Sequence, residues 1–305
     1  KSLYLARDRF GEKPLYYGRN GGTFLFGSEL KSFKTHPKWR SEINRDALTL
    51  YMRLNYIPSP FSIYKGINKL PPAHFVVIKN GGDTISKPKC YWNLKEIAEK
   101  GSANLKQNAE QSIDELNTLL SSSVKAQMQA DVPLGVLLSG GYDSTLVAAL
   151  MQTQSNKPIK TFTIGFHEKS YNEAVHAKAI AKHLGTEHTE LYINPKEALS
   201  VIPKLATIWD EPFADSSQIP TLLVSELARK YVTVSLTGDG GDELFCGYNR
   251  YQMTDKLWNK LSMLPVPLRS LLGNGINSIS PQVWNKLAGY IPGTKNFNNI
   301  GDKLH

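Results

Sequence analysis

Ser139-Gly140-Gly141-Tyr142-Asp143-Ser144 is the stretch of this chain whose residue types and spacing point most directly to chemistry. The apolar run Val136-Leu137-Leu138 precedes it and Thr145-Leu146-Val147-Ala148-Ala149-Leu150 follows. That order predicts a buried strand, a tight turn and a helix start. Two glycines let backbone N–H groups approach an anion, a helix N-terminus adds a positive dipole end, and Ser139 and Ser144 offer hydroxyls. Such a turn holds phosphate. Asp143 repels phosphate, so its presence implies a bridging cation, Mg²⁺. A Gly-Gly turn alone often does no more than reverse the chain; the full six-residue string between strand and helix favours the phosphate reading. It lacks the Gly-Lys-Ser/Thr ending of a Walker loop and is not that site.

A second loop points the same way. Val232-Thr233-Val234-Ser235-Leu236 is β-branched and apolar, hence a strand, and runs into Thr237-Gly238-Asp239-Gly240-Gly241-Asp242-Glu243. Three carboxylates within five residues repel one another. The plain reading is a solvated acidic turn. The sharper one starts from position: loops at the C-terminal ends of strands bind ligands in open α/β sheets. Asp242 then shares a Mg²⁺ with Asp143, and Asp239 faces an acyl substrate or its ammonium group.

These two loops resemble those of the glutamine-dependent asparagine synthetases, whose synthetase domain carries a pyrophosphatase-type Ser-Gly-Gly-x-Asp-Ser loop and a later Gly-[Glu/Asp]-Gly-x-Asp-Glu loop. Further matching strings are Asp131-Val132-Pro133-Leu134-Gly135, Phe162-Thr163-Ile164-Gly165-Phe166, His183-Leu184-Gly185-Thr186-Glu187-His188 and Asp210-Glu211-Pro212-Phe213-Ala214-Asp215. Ala6-Arg7-Asp8-Arg9-Phe10-Gly11-Glu12-Lys13-Pro14-Leu15-Tyr16-Tyr17 and Phe26-Gly27-Ser28-Glu29-Leu30-Lys31 are similar to the closing part of that family's glutaminase domain. The resemblance covers roughly residues 3 to 251.

It implies an α/β fold: a doubly wound, mostly parallel sheet of the pyrophosphatase-loop, adenine-nucleotide-binding type, preceded by a strand-rich part of an N-terminal-nucleophile glutaminase domain. The expected boundaries are 1–92 for the glutaminase-like part, 93–110 for a linker and 111–305 for the synthetase domain. The implied reaction is ATP-dependent activation of a carboxylate as an acyl-adenylate, with release of pyrophosphate, then amidation by glutamine-derived ammonia. Leu137, Ile164 and Gly238 occupy positions where the family binds adenine and ribose, although Leu137 and Ile164 taken singly read as core. Ser139, Gly140, Gly141 and Ser144 supply donors to pyrophosphate, and Asp143 and Asp242 hold the metal. Asp239 stands where other members carry Glu, one methylene longer. Tyr142 replaces a more usual Leu and is expected to pack beneath the loop; the other option is that it narrows an acceptor pocket. Cys246 stands where Gly is more usual and reads as packing, with no paired base to make it a nucleophile.

The family's glutaminase cysteine lies upstream of anything matching Lys1, and its Arg-x-Pro-Phe-Leu-Asp segment, which precedes a catalytic lysine, has no counterpart here. Lys256, Lys260, Lys286, Lys295 and Lys303 are therefore poor candidates, and the chain is expected to be an inactive fragment. Expected ligands are ATP, Mg²⁺, aspartate or a related carboxylate, and glutamine in the full-length protein; a homodimer fits the reading. Two alternatives stand beside it: a relative amidating another acceptor, such as a sugar carboxylate for surface polysaccharide, and a non-catalytic nucleotide-binding module.

Composition narrows the classes. Lys and Arg number 36 against 27 Asp and Glu, a net charge of +9, but the basic residues are scattered rather than blocked, which argues against nucleic acid as a partner. No apolar run nears the ~18–20 residues a membrane span needs. Cys90 and Cys246 are the only cysteines, without metal-ligand spacing, as expected of a reducing cytoplasm.

The elements that must position the loops follow from periodicity. Short strands are expected at 3–6, 15–18, 23–26 and 74–78, with a helix starting after Asn44 as N-cap. Ile113, Leu116, Leu119, Leu120, Val124 and Met128 make one helical face. Strands at 135–138, 161–164, 188–193 and 232–236 alternate with helices from about 144, over 172–184, from Pro195 to about Trp209 and over 218–229. That alternation predicts a mostly parallel sheet with helices on both faces.

Overall fold

The computed structural model describes residues 1–105, 108–167, 172–280 and 282–284. It divides into two compact units, Lys1–Gly238 and Asp239–His305.

The first unit opens with strands β1 (Ser2–Ala6), β2 (Tyr16–Asn20) and β3 (Thr23–Gly27), helices α1 (Leu30–Phe33) and α2 (Arg45–Leu54), and strands β4 (Ile67–Lys69), β5 (His74–Lys79), β6 (Thr84–Ile85) and β7 (Lys89–Cys90). They form two antiparallel sheets, one ordered β1-β5-β6 with β7 also on β5, the other β3-β2-β4. Successive strand residues face opposite ways. Tyr16 accordingly packs with Leu30, Phe33, Ala47 and Ile67, and Tyr17 packs with Leu5, Leu70, Val76 and Ile78. One strand thus serves two cores. Asn44 caps α2 as its position foretells, its side chain accepting from the N–H groups of Asp46 and Ala47. The polar stretch 93–110, expected as a linker, contains a helix, α3 (Leu94–Ser102), capped by the Asn93 side chain. Good helix formers behind a capping Asn outweigh the low hydrophobicity.

Beyond α4 (Ala109–Gln127) come β8 (Leu134–Leu137), α5 (Tyr142–Thr153), β9 (Lys160–Phe166), α6 (Ala174–Leu184), β10 (Glu187–Ile193), α7 (Pro195–Ser200), α8 (Ile202–Ile208), α9 (Gln218–Arg229) and β11 (Val234–Leu236). The four strands form one sheet, ordered β10-β9-β8-β11, with every pairing parallel. Val136 and Leu138 face a core with α4, α5 and α6 residues such as Val124, Met151 and Ala177. Leu137 and Phe162 face the other way, onto Leu227 and Ala228 of α9. Helices therefore cover both faces, and the sheet is doubly wound. Gly185, left-handed at φ 71°, ends α6. The run expected from Pro195 to Trp209 is split at Val201, because Pro203 has no N–H to bond Leu199 across the junction.

The second unit is helical over the described residues: α10 (Gly241–Phe245), α11 (Asn249–Leu261) and α12 (Val266–Asn277). No helix among the described residues is long and apolar enough to cross a membrane.

Candidate functional site

The strand order places a switch point beside β8. From β8 the chain moves to β9 and β10 on one side, then β11 returns to the other side of β8. Ligands bind in the crevice at such a reversal, outside the carboxyl ends of the strands. The turn after β8 and the turn after β11 both open there.

The β8 turn is braced from within. Leu138, 1% exposed, donates its N–H to the Phe162 carbonyl at 2.9 Å, and its own carbonyl accepts from the Thr163 hydroxyl. The Ser139 and Ser144 hydroxyls lie 2.9 Å apart. Ser139 N–H donates to Ser144 Oγ at 3.2 Å, Gly141 N–H donates to Ser139 Oγ at 3.2 Å, and Ser144 Oγ donates to the Gly141 carbonyl at 3.3 Å. The two serines thus shape the turn as well as offering oxygens to a ligand. Gly140 is left-handed at φ 88°, and a Cβ there would stand 2.9 Å from Ala177 N and 3.0 Å from His176 Cβ on α6. Backbone conformation and close helix approach both demand glycine at this position.

Gly238, at the end of the first unit, comes against the same turn. A Cβ on it would lie 2.5 Å from Ser144 N and 3.0 Å from Asp143 Cβ. The structure therefore brings together Gly238, Asp143 and Ser144, which are about 100 residues apart in sequence. Leu137 and Ile164 sit at the carboxyl ends of β8 and β9; Leu137 pairs in register with Phe162, and Ile164 with Leu191. The Asp143 side chain, in the first turn of α5, has no hydrogen-bond or ion-pair partner among the described residues.

In the second unit Asp239 precedes Gly240, left-handed at φ 90°, and Asp242 lies in the first turn of α10. Gly247 N–H donates to the Asp242 carbonyl at 3.1 Å, and a Cβ on Gly247 would run into the Asp242 carboxylate. Tyr248 donates its hydroxyl to Glu243 Oε1 at 2.7 Å, which holds Glu243 below the ordinary carboxylate range. Among the described residues no group of three or more His, Cys, Asp or Glu is placed to hold a metal.

Two expectations fail. Tyr142 does not pack beneath the loop: at the first position of α5 it is 97% exposed. Cys246 is not a packing residue either. It is exposed and ends α10 in the left-handed conformation at φ 57°, a position that favours Gly. Thr163, which fixes the carbonyl just before the turn, was not singled out from sequence; its signal is a threonine pair, Thr161 and Thr163, in a strand whose other central residues are apolar. Lys256 and Lys260 lie on α11, and Lys286, Lys295 and Lys303 lie outside the described residues.

Sheet order and loop placement define the class of open parallel α/β domains with a glycine turn at the switch point. Comparison with known proteins narrows this. Residues 115–297 match the asparagine synthase family, and residues 1–92 match a glutamine amidotransferase domain. The chain belongs to the asparagine synthase family. Among curated relatives, a putative glutamine-hydrolysing asparagine synthetase 2 of Methanocaldococcus jannaschii is 40% identical over 82% of this chain and 48% of its own length. Glutamine-hydrolysing asparagine synthetase 1 of Bacillus subtilis is 35% identical over 82% of this chain and 38% of its own length. The chain thus spans about half or less of these relatives. Among solved structures, an NMN synthetase from Francisella tularensis aligns with 47% of this chain and 59% of its own at 18% identity, with a TM-score of 0.33.

Proposed function

We propose that the chain forms part of an ATP-dependent amidotransferase that activates a carboxylate, aspartate or a related acid, and amidates it with ammonia from glutamine. The observation that carries this reading is the meeting of Gly238 with Asp143 and Ser144 at the switch point. It puts the β11 turn against the glycine turn, where a nucleotide's phosphates and its ribose can be gripped together.

The chemistry asks for three things. A substrate carboxylate oxygen attacks the α-phosphorus of ATP, the bond to pyrophosphate breaks, and an acyl-adenylate forms. Ammonia then attacks the acyl carbon, loses a proton, and AMP leaves. Departing pyrophosphate needs donors aimed at the charge it gains. Backbone amides of Gly140 and Gly141 and the hydroxyls of Ser139 and Ser144 would supply them, the turn's internal bonds to Gly141 N–H and Ser144 Oγ giving way to the ligand. Leu137, Ile164 and Gly238 would flank adenine and ribose, and Asp239, the residue after Gly238, would face the acyl substrate or its ammonium group. Mg²⁺ suits the donor set: it is commonly held by one or two carboxylates plus substrate phosphates rather than by an all-protein cage. Asp143, unpaired, and Asp242 would hold it, and it would offset phosphate charge. Residues 1–92 would belong to the glutaminase-like part and 111–305 to the synthetase part.

The test is exchange of labelled pyrophosphate into ATP by the intact protein. Exchange that requires aspartate supports acyl-adenylate formation. Aspartate-independent hydrolysis with no exchange contradicts it.

A further inference from the structure

The string Asp210-Glu211-Pro212-Phe213-Ala214-Asp215 has no part in the site described above. Its first two carboxylates are bonded instead to the strand-rich part. Asp210 accepts from the first two N–H groups of α1, Leu30 at 2.5 Å and Lys31 at 3.1 Å. Lys31 Nζ returns a bond to the Ile208 carbonyl at 2.8 Å. Glu211 Oε1 accepts from Ile63 N–H at 2.7 Å, while Oε2 accepts from the Tyr16 hydroxyl at 3.3 Å and pairs with Lys69 Nζ at 2.5 Å. Ala214 N–H donates to the Asn55 carbonyl at 2.9 Å. The Asp210 side chain is 11% exposed and that of Glu211 9%.

Cohesion alone does not call for this arrangement, because burying carboxylates is costly and an apolar contact would hold two layers as well. Matched donors on every oxygen instead select one register. Burial, with the charges of Glu211 and Asp210, raises the pKa of the Tyr16 hydroxyl, so it remains a donor throughout the neutral range. The same segment leads directly through Ser217 into α9, then β11, and ends at Gly238 beside the glycine turn.

We infer that Asp210 and Glu211 are positioning residues that lock the strand-rich part onto the parallel-sheet part in one register, so that ammonia made in one reaches the acyl carbon held by the other. The inference rests on the amidotransferase reading above. Its test compares the intact protein with Glu211→Gln and with the Asp210→Asn/Glu211→Gln double variant, supplied with glutamine, aspartate and MgATP. Gln keeps the shape of Glu211 and an oxygen for Ile63 but cannot pair with Lys69. The ratio of glutamate released to amide formed is expected to rise from parity to an excess of glutamate, while amide formation from ammonium salts is kept. A variant that is only less stable loses both products together and leaves the ratio unchanged, and that result overturns the inference. Hydrogen exchange supplies a second readout. Protection at Leu30, Lys31 and Ile63 should fall about tenfold or more, the worth of one charge-assisted hydrogen bond, with 134–138 unaffected. Should the unaltered protein make no amide from either nitrogen source, the amidotransferase reading fails and exchange alone decides the lock: selective loss supports it, and unchanged or uniform loss overturns it.

Discussion

The three glycines of the site differ in what they permit. Gly141 has an ordinary φ of −75°, and a Cβ there would meet only Ser139 Oγ at 3.4 Å. Gly141→Ala should therefore change stability by less than about 1 kcal/mol. Gly140→Ala meets both a left-handed backbone and α6, and should cost about 1–3 kcal/mol. Gly238→Ala would press on Ser144 N, displace the start of α5 and weaken MgATP binding. Denaturant midpoints and calorimetry check these; equal effects at Gly140 and Gly141 would mean the turn is less rigid than its hydrogen bonds imply. Residue types alone pointed to the turn because strand, Gly-Gly, Asp and Ser come in one unbroken string. They did not reveal that Tyr142 is exposed or that Cys246 ends a helix. Both depend on neighbours remote in sequence or on a backbone sign that no composition encodes.

At the scale of elements, periodicity placed the four strands of the parallel sheet and most of the helices around it, because buried parallel strands read as short apolar runs between amphipathic helices. It missed α3, whose apolar residues Leu94 and Ile97 are too few and too exposed to stand out, the short elements α1, β4, β6 and β7, and the break before α8, where the missing N–H of Pro203 outweighs a continuous pattern. On β10, His188 is a consequence of such packing. Its Nδ1 lies 2.7 Å from Thr161 Oγ1, its Nε2 is buried without a partner, and burial lowers the imidazole pKa. Glu190 acts in the opposite direction and Lys178 in the same one. The folded chain thus binds fewer protons here than the unfolded chain, so stability rises with pH through the window below about 6.5 and is lost on acidification. Thermal midpoints should drop between pH 7 and pH 5, and His188→Gln should flatten part of that slope. An unchanged slope would show that His188 titrates alike in both states.

At the scale of the whole chain, strand order was not legible. Alternation predicted a parallel sheet, but only pairing shows β11 beside β8, and with it the switch point. Nor does any local pattern announce that Asp210 and Glu211 bind residues as far as 195 positions upstream. Lys69→Met tests that contact by stability: it leaves the buried Glu211 carboxylate without its cation and should cost about 3–5 kcal/mol in denaturant unfolding. A loss under about 1 kcal/mol, the size typical of an exposed pair, would mean that water reaches the pair. The central claim is that the β8 and β11 turns form one nucleotide site with Asp143 at its centre. Calorimetric titration of MgATP into the unaltered chain and into Asp143→Asn tests it most directly. Saturable binding that weakens at least about tenfold in the variant is predicted, a change of ~1.4 kcal/mol. Equal binding by both, or none by the unaltered chain, would contradict it.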